Sequence, residues 1–223
     1  MDVLIFDEPV PYADALTLQE RLLAQRIADE IPDTLVVLEH PSVITLGRRG
    51  RRDFLLVSDA ELERRGVALV HSSRGGDVTW HGPGQLVAYP IRKLGGGGSH
   101  GHLDLLQQSV IRTARAFGVE AFARDGKAGA WTAFGKIAAI GFAMKRWVSF
   151  HGLSLNVNCD LTAFELIVGC GLQGESVTSM RALLGEQAPT LVEVRERLIA
   201  EFAGLVEVDE VRLFPGSDFS SCS

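Results

Sequence analysis

The sequence predicts an α+β domain with a mixed, largely antiparallel sheet flanked by helices. Strand-like segments outnumber helix-like ones and do not alternate strictly with them, which argues against a doubly wound parallel sheet. Two apolar segments, 136–144 and 148–156, meet at a turn near Lys145-Arg146, as neighbouring antiparallel strands do. The 223 residues are enough for a domain with a substantial core. No repeat or linker divides them, so residues 1–214 read as one domain. The polar, glycine- and serine-containing stretch 215–223 reads as a flexible tail.

In chain order, residues 3–6 read as a short strand. Residues 12–27 carry Leu16, Leu22, Leu23 and Ile27 at helical spacing, with charges between, and predict an amphipathic helix. A buried strand at 34–39 ends at His40-Pro41, because proline cannot donate to the ladder. A strand at 43–46 leads into Gly47-Arg48-Arg49-Gly50-Arg51-Arg52. That basic cluster is either a solvated turn or a holder for an acidic partner, and both readings stand. Ser58 and Glu61 form a capping-box pattern for a short helix at 58–65. Apolar segments at 67–70 and 86–89 read as strands joined by a glycine-rich polar crossing, 74–85. Gly95-Gly96-Gly97-Gly98 marks a loop, with His100 and His102 as a loop pair rather than a ligand set, and a helix spans 103–117. Residues 127–132 are small and glycine-containing, and 161–168 form a short helix or turn. Thr190 and Glu193 make a second capping box ahead of a helical stripe, Leu191, Val194, Leu198, Ile199 and Phe202.

Composition narrows the function classes. A net charge of -6 gives no electrostatic reason to expect nucleic acid or an anionic membrane as partner. Residues 1–8 lack the basic start of a signal peptide, and no apolar run reaches membrane-spanning length. Cys159, Cys170 and Cys222 are odd in number and lack metal-type spacing, which favours a reducing, cytoplasmic setting and a working thiol over a disulfide framework.

Chemistry concentrates in two places. The crossing Arg74-Gly75-Gly76-Asp77-Val78-Thr79-Trp80-His81-Gly82-Pro83-Gly84-Gln85 crowds hydrogen-bonding side chains between glycines that let a backbone approach a ligand closely. A turn alone explains the glycines but not Arg, Thr, His and Gln, so the crossing reads as a binding surface. Cys170 lies between two glycines, which leave its sulfur uncovered. A thiol with an ordinary pKa of about 8.5 costs roughly 2 kcal/mol to ionise at pH 7. Lys136 opens an apolar strand, and by spacing alone it reads as a solvated edge charge.

Residues 74–90 are similar to the signature of lipoyl(octanoyl) transferases. So are Leu38-Glu39-His40-Pro41 with Thr45-Leu46-Gly47-Arg48-Arg49-Gly50, Gly135-Lys136-Ile137-Ala138-Ala139-Ile140-Gly141, His151-Gly152-Leu153-Ser154-Leu155-Asn156-Val157, Cys170-Gly171 and Val177-Thr178-Ser179. The blocks keep the family's order over most of residues 35–180. Gly169 departs from the family's usual proline before the cysteine.

The resemblance implies the fold of biotin and lipoate protein ligases and makes the domain an octanoyltransferase catalytic domain. It implies transfer of an octanoyl group from octanoyl-acyl carrier protein to a lysine of a lipoyl domain, without a cofactor. The acceptors it implies are the lipoyl domains of 2-oxoacid dehydrogenase complexes and the glycine cleavage H protein. The matching positions make Cys170 the acyl-thioester nucleophile and Lys136 its acid/base partner. Ala139, Ile140, Gly141, Gly152, Leu153 and Ser154 would line an octanoyl slot. His81 and His151 either shape the site by hydrogen bonding or are satisfied structural histidines. The oxyanion donors would be backbone N–H groups near Cys170 or Gly75-Gly76, and the Arg48–Arg52 cluster would dock the acidic carrier. An ATP-dependent ligase of the same fold, and a non-catalytic carrier-binding module, are the competing readings.

Overall fold

The computed structural model describes residues 1–168, 176–208 and 210–219; Cys170 with its two glycine neighbours, and Cys222, lie outside the described residues. Strand β1 (Asp2–Ile5) is followed by helix α1 (Tyr12–Ile27), β2 (Thr34–Leu38) and β3 (Val43–Leu46). Helix α2 (Asp59–Arg64), β4 (Ala68–His71), β5 (Val78–His81) and β6 (Gln85–Ile91) come next. Helix α3 (Gly98–Ala116) leads to β7 (Phe122–Arg124), β8 (Lys127–Thr132), β9 (Gly135–Lys145) and β10 (Val148–Asn156). Helices α4 (Met180–Leu184) and α5 (Leu191–Val206) and strand β11 (Arg212–Pro215) follow.

Eight strands form the main sheet in the order β11-β1-β2-β6-β10-β9-β8-β7. Among the described strands of this sheet β1 pairs in parallel, with β2 and β11, and the other strand pairings are antiparallel, so the sheet is mixed and largely antiparallel. A second sheet of three strands has the order β4-β3-β5.

Each helix forms where its sequence supplies a start and a buried stripe. Ser58 accepts the Glu61 N–H at the head of α2. Thr190 and Glu193 complete a reciprocal capping box on α5, satisfying two donors that the helix start would leave open. Leu18, Leu22 and Leu23 of α1 pack on one face of the sheet with Val36, Val87 and Tyr89. Leu106 and Val110 of α3, with Leu198 and Phe202 of α5, cover the other face over Leu153 and Leu155. A third cluster, including Ile44, Leu46, Trp80 and Phe164, holds the small sheet.

The glycine-rich crossing is not a hairpin. Its flanking strands β4 and β6 lie in different sheets, and Val78–His81 within it is itself a strand, paired antiparallel with β3. The histidine pair is not in a loop either. Helix α3 starts at Gly98, so His100 is exposed while His102 turns inward with Leu106 and Val110. Burial of that stripe outweighs the helix cost of Gly98 and Gly101, about 1 kcal/mol each. Strands β7 and β11 are short, mostly exposed edge elements without clear alternation.

His40, His81, His102 and His151 are buried, and burial is the main cause that lowers their pKa values, to about 4, 3, 3 and 3. The unfolded chain takes up protons at these rings near pH 6.5 while the folded one does not, so their stabilising effect is present above that pH and falls as pH drops toward 4. His102 has no hydrogen-bond partner at either ring nitrogen among the described residues. His102→Leu is therefore expected to raise Tm at pH 7, by removing unsatisfied nitrogens worth about 1–3 kcal/mol. It should also flatten the loss of stability between pH 6.5 and 4.5, read by thermal denaturation across pH. Gly152 sits mid-sheet, where an added Cβ would collide with the Ala88 carbonyl oxygen and stand 2.7 Å from Pro90 Cδ. Gly152→Ala should cost about 2 kcal/mol and lower Tm by roughly 4–8 °C. Gly204→Ala, where nothing lies within 4 Å of the new methyl, should raise Tm slightly in the same assay.

Candidate active site

The two sheets meet over β9 and β10, and a cavity of about 740 Å³ lies between them. Its volume is in the range of small-molecule sites, about 300–1,000 Å³. The segment Arg74–Asp77 forms one wall. Gly75 N–H donates to the Phe142 carbonyl on β9 at 2.9 Å. That close crossing needs glycine on both sides. A Cβ on Gly141 would lie 2.7 Å from the Gly75 carbonyl oxygen, and one on Gly47 would lie 2.5 Å from that of Gly76. From the other side, Gly47, Arg48 and Arg49 donate backbone N–H groups to the carbonyls of Asp77, Arg74 and Gly76 at 2.6, 3.0 and 3.2 Å.

Arg74 is buried and works within the wall. Its Nε donates to Thr45 Oγ1 at 3.0 Å, Nη2 to the Thr45 carbonyl at 2.6 Å, and Nη1 to the Gly75 carbonyl at 3.0 Å. Gly75, Gly76, Asp77, Val78, Thr79 and His81 line the cavity with it. Trp80 does not. It turns into the small-sheet core, donates Nε1–H to Ser42 Oγ at 2.8 Å and meets Phe164 edge-on.

The two segments expected to line a slot face each other residue for residue: Gly141 pairs with Gly152, Ile140 with Leu153 and Ala139 with Ser154. Side chains alternate between faces, so Ala139 and Ser154 share the face of the glycine pair. Ile140 and Leu153 line the cavity as well, and also belong to the core cluster packed against α3 and α5. The glycines admit the neighbouring backbone rather than only clearing space, which leaves Ala139 and Ser154 as the small side chains of the open face.

Lys136 enters the cavity lining from the start of β9. Its ammonium lies 5.1 Å from the Trp131 ring centroid, within cation–π range. Gly129 makes room for it: a Cβ there would stand 2.7 Å from Lys136 Cε. Lys136 N–H donates to the Ser176 carbonyl at 2.8 Å, and Thr178 N–H donates to the Lys136 carbonyl at 3.0 Å. Ile167 and Val177, on either side of the segment outside the described residues, both line the cavity.

A buried polar chain runs along the floor. His81 Nδ1 lies 2.7 Å from Gln85 Oε1, which can only accept, so Nδ1 carries the proton and Nε2 is the ring's acceptor. Gln85 Nε2 donates to Asn156 Oδ1 at 2.8 Å, and Asn156 Nδ2 donates to the Thr178 carbonyl at 3.0 Å. His40 Nδ1 donates to the Val10 carbonyl at 2.6 Å, and Tyr89 donates its hydroxyl proton to His40 Nε2 at 2.7 Å. His151 has φ +56, an unusual backbone for a residue with a side chain. Its N–H donates to Gln19 Oε1 at 2.8 Å and its Nε2 meets Ser73 Oγ at 3.0 Å. Held neutral far below pH 7, these rings position polar atoms and are poor bases.

Sequence reasoning did not single out Tyr12, Tyr89, Asn156 and Trp131 as lining residues. Gln85, which the sequence places in the polar crossing, does line the cavity. Among the basic residues at 48–52, Arg49 pairs with Asp77, Arg51 with Asp53 and Arg52 with Asp59, while Arg48 has no acid partner among the described residues.

A profile of the lipoyl protein ligase A/B catalytic domain matches residues 11–203. An octanoyltransferase of Chloroflexus aurantiacus is 49% identical over 197 residues, covering 86% of this chain and 88% of its own. One from Solibacter usitatus is 44% identical over 219 residues, covering 95% and 94%. The fold is similar to a crystal structure of lipoate-protein ligase A bound with ATP, with a TM-score of 0.74 at 15% identity over 96% of this chain and 88% of that one. With the profile matching residues 11–203 and relatives aligned over 86–95% of this chain, the chain belongs to the lipoyl protein ligase A/B catalytic domain family, among its octanoyltransferases.

Proposed function

We propose that the protein moves an octanoyl group from octanoyl-acyl carrier protein to a lysine of lipoyl domains through a thioester on Cys170, in the cytoplasm. The 2-oxoacid dehydrogenase complexes and the glycine cleavage H protein supply the acceptors. The observation that carries this reading is the setting of Lys136. It lines a cavity with a small-residue slot, and its own backbone binds Ser176 and Thr178, six and eight positions after Cys170.

The steps balance without an added cofactor. Cys170 Sγ attacks the thioester carbonyl, a new C–S bond forms, and the carrier's C–S bond breaks. The thiol proton of Cys170 passes by way of Lys136 to the departing carrier sulfur. One thioester replaces another, so no ATP is required. The acceptor amine then attacks, the C–N bond forms, and Cys170 leaves as thiol. Freeing an amine of pKa about 10.4 at pH 7 costs roughly 4.6 kcal/mol, more than ionising the thiol, so a base matters most in this half. Gly75 N–H is already given to the Phe142 carbonyl, which favours the other candidate donors for the oxyanion. The likeness to an ATP-bound ligase favours one competing reading, adenylation of a free acid.

Incubation with octanoyl-carrier protein alone should add one octanoyl group by intact mass, mapped to Cys170, absent in Cys170→Ser, and chased onto a lipoyl domain. Lys136→Ala should lower the transfer rate at least a hundredfold. Modification of the acceptor only with ATP and free octanoate would overturn the thioester route in favour of a ligase; neither adduct nor turnover would leave a binding module. In a chain-length series, Ala139→Leu should cut kcat/KM for octanoyl donors at least tenfold and lower it less for butanoyl donors, because the new side chain fills the slot beside Ser154. Equal losses at all lengths would exclude Ala139 from the slot.

A further inference from the structure

The turn between β9 and β10 is built in a way that its sequence does not favour. Lys145 pairs with Val148, leaving a two-residue turn, Arg146-Trp147, with φ +48 and +64. Such turns favour Asn-Gly, because both residues sit in the left-handed region. Tryptophan there is strained, and its indole is also 64% exposed. Met144 beside it is 44% exposed and lines the cavity. A strained backbone that holds a large apolar side chain in water points to function.

Charge adds a second observation. Lys145 and Arg146 are exposed and form no ion pair among the described residues, whereas Arg49, Arg51, Arg52 and Lys93 each have an acid partner. On a chain of net charge -6, Lys145 and Arg146 add exposed positive charge directly after Met144, which lines the cavity. The tip is also anchored. Leu94 N–H donates to the Trp147 carbonyl at 2.8 Å, and a Cβ on Gly98 would stand 3.7 Å from the indole. Ser99 and Leu103, just along α3, line the same cavity.

We infer that Met144, Lys145, Arg146 and Trp147 are the docking element for an acidic face of the acyl-donor protein, an inference that rests on the octanoyl-transfer reading. Strand β9 runs eight residues from Lys136 to Met144, about 26 Å at 3.3 Å per residue. A partner seated on the tip reaches Lys136 only through a long arm. The donor carries its thioester on a flexible arm, whereas the acceptor lysine has a four-carbon stem. The indole supplies the desolvated anchor, and the two cations supply steering and register.

The test compares octanoyl-carrier protein with octanoyl-pantetheine as donors, for wild type, Trp147→Gly and Lys145→Glu/Arg146→Glu. Glycine suits the left-handed position, so Trp147→Gly should keep or raise Tm. Both variants should raise KM for the carrier-linked donor about tenfold or more, leave KM for octanoyl-pantetheine within twofold, and leave KM for the lipoyl domain unchanged. Equal effects on both donors, an effect on the lipoyl-domain KM instead, or no effect on the carrier-linked donor would each overturn the inference while the transfer reading stands. A wild-type protein that uses neither donor overturns the transfer reading and this inference with it.

Discussion

The cavity exists because the backbone of Arg74–Asp77 crosses β9 in contact, with Gly75 N–H on the Phe142 carbonyl. One such bond contributes about 1 kcal/mol net, too little to hold two sheets together. What holds them is the combination around it. Gly47 and Gly141 remove the side chains that would pry the backbones apart. Arg74 spends its guanidinium donors on Thr45 and on the carbonyls of its own segment, making the wall stiff. The apolar cluster of Ile44, Leu46 and Trp80 secures the small sheet from behind. Trp80 matters to the site through that packing, at one remove from any ligand.

The polar floor follows from the same closure. A cavity enclosed by two sheets buries whatever polar groups its floor carries, and each must find a partner or a ligand. His81, Gln85 and Asn156 solve this in series and end on the Thr178 carbonyl. Thr178 in turn donates to the Lys136 carbonyl. The chain of bonds therefore sets His81, from the small sheet, at a fixed position relative to Lys136, from the main one. Neutral amides and a neutral imidazole do this better than charges would, because an unpaired buried charge carries a far larger desolvation cost.

Much of this was legible beforehand, and the failures have physical causes. Helices α1, α2 and α5 declared themselves by apolar spacing and caps, and β9 and β10 by apolar segments meeting at a turn near Lys145-Arg146. Segments 139–141 and 152–154 were expected to form the slot, and the register places them opposite one another. All of these residues line the cavity, but strand alternation divides them in a way that composition hides: Ile140 and Leu153 pack in the core as well, whereas Ala139 and Ser154 stand on the opposite face. Strand β5 was unreadable because four residues of mixed polarity carry little periodicity. His102 was misplaced because glycines before it read as loop, while tertiary burial continued the helix through them. Asn156 and Trp131 are brought to the site by strand pairing.

Slot and hairpin are mechanically the same object. Two facing glycines in the middle of β9 and β10 weaken the sheet locally, since glycine packs nothing and has more freedom to lose. The neighbouring pairs, with Leu153 and Leu155 on the helix-covered face, offset that loss. The pairing must then keep its register, because a slip of one residue reverses every side chain across the sheet. Such a slip would exchange Ala139 for Ile140 on the open face and fill the slot. A two-residue turn is the strictest register device available to a hairpin. The Arg146-Trp147 turn thus fixes the shape of the cavity face proposed as the acyl slot from the far end of β9, whatever side chain occupies it. Glycine would serve that geometric role at lower strain, so geometry alone does not account for the tryptophan, and its exposed indole is left as the reason it stands there.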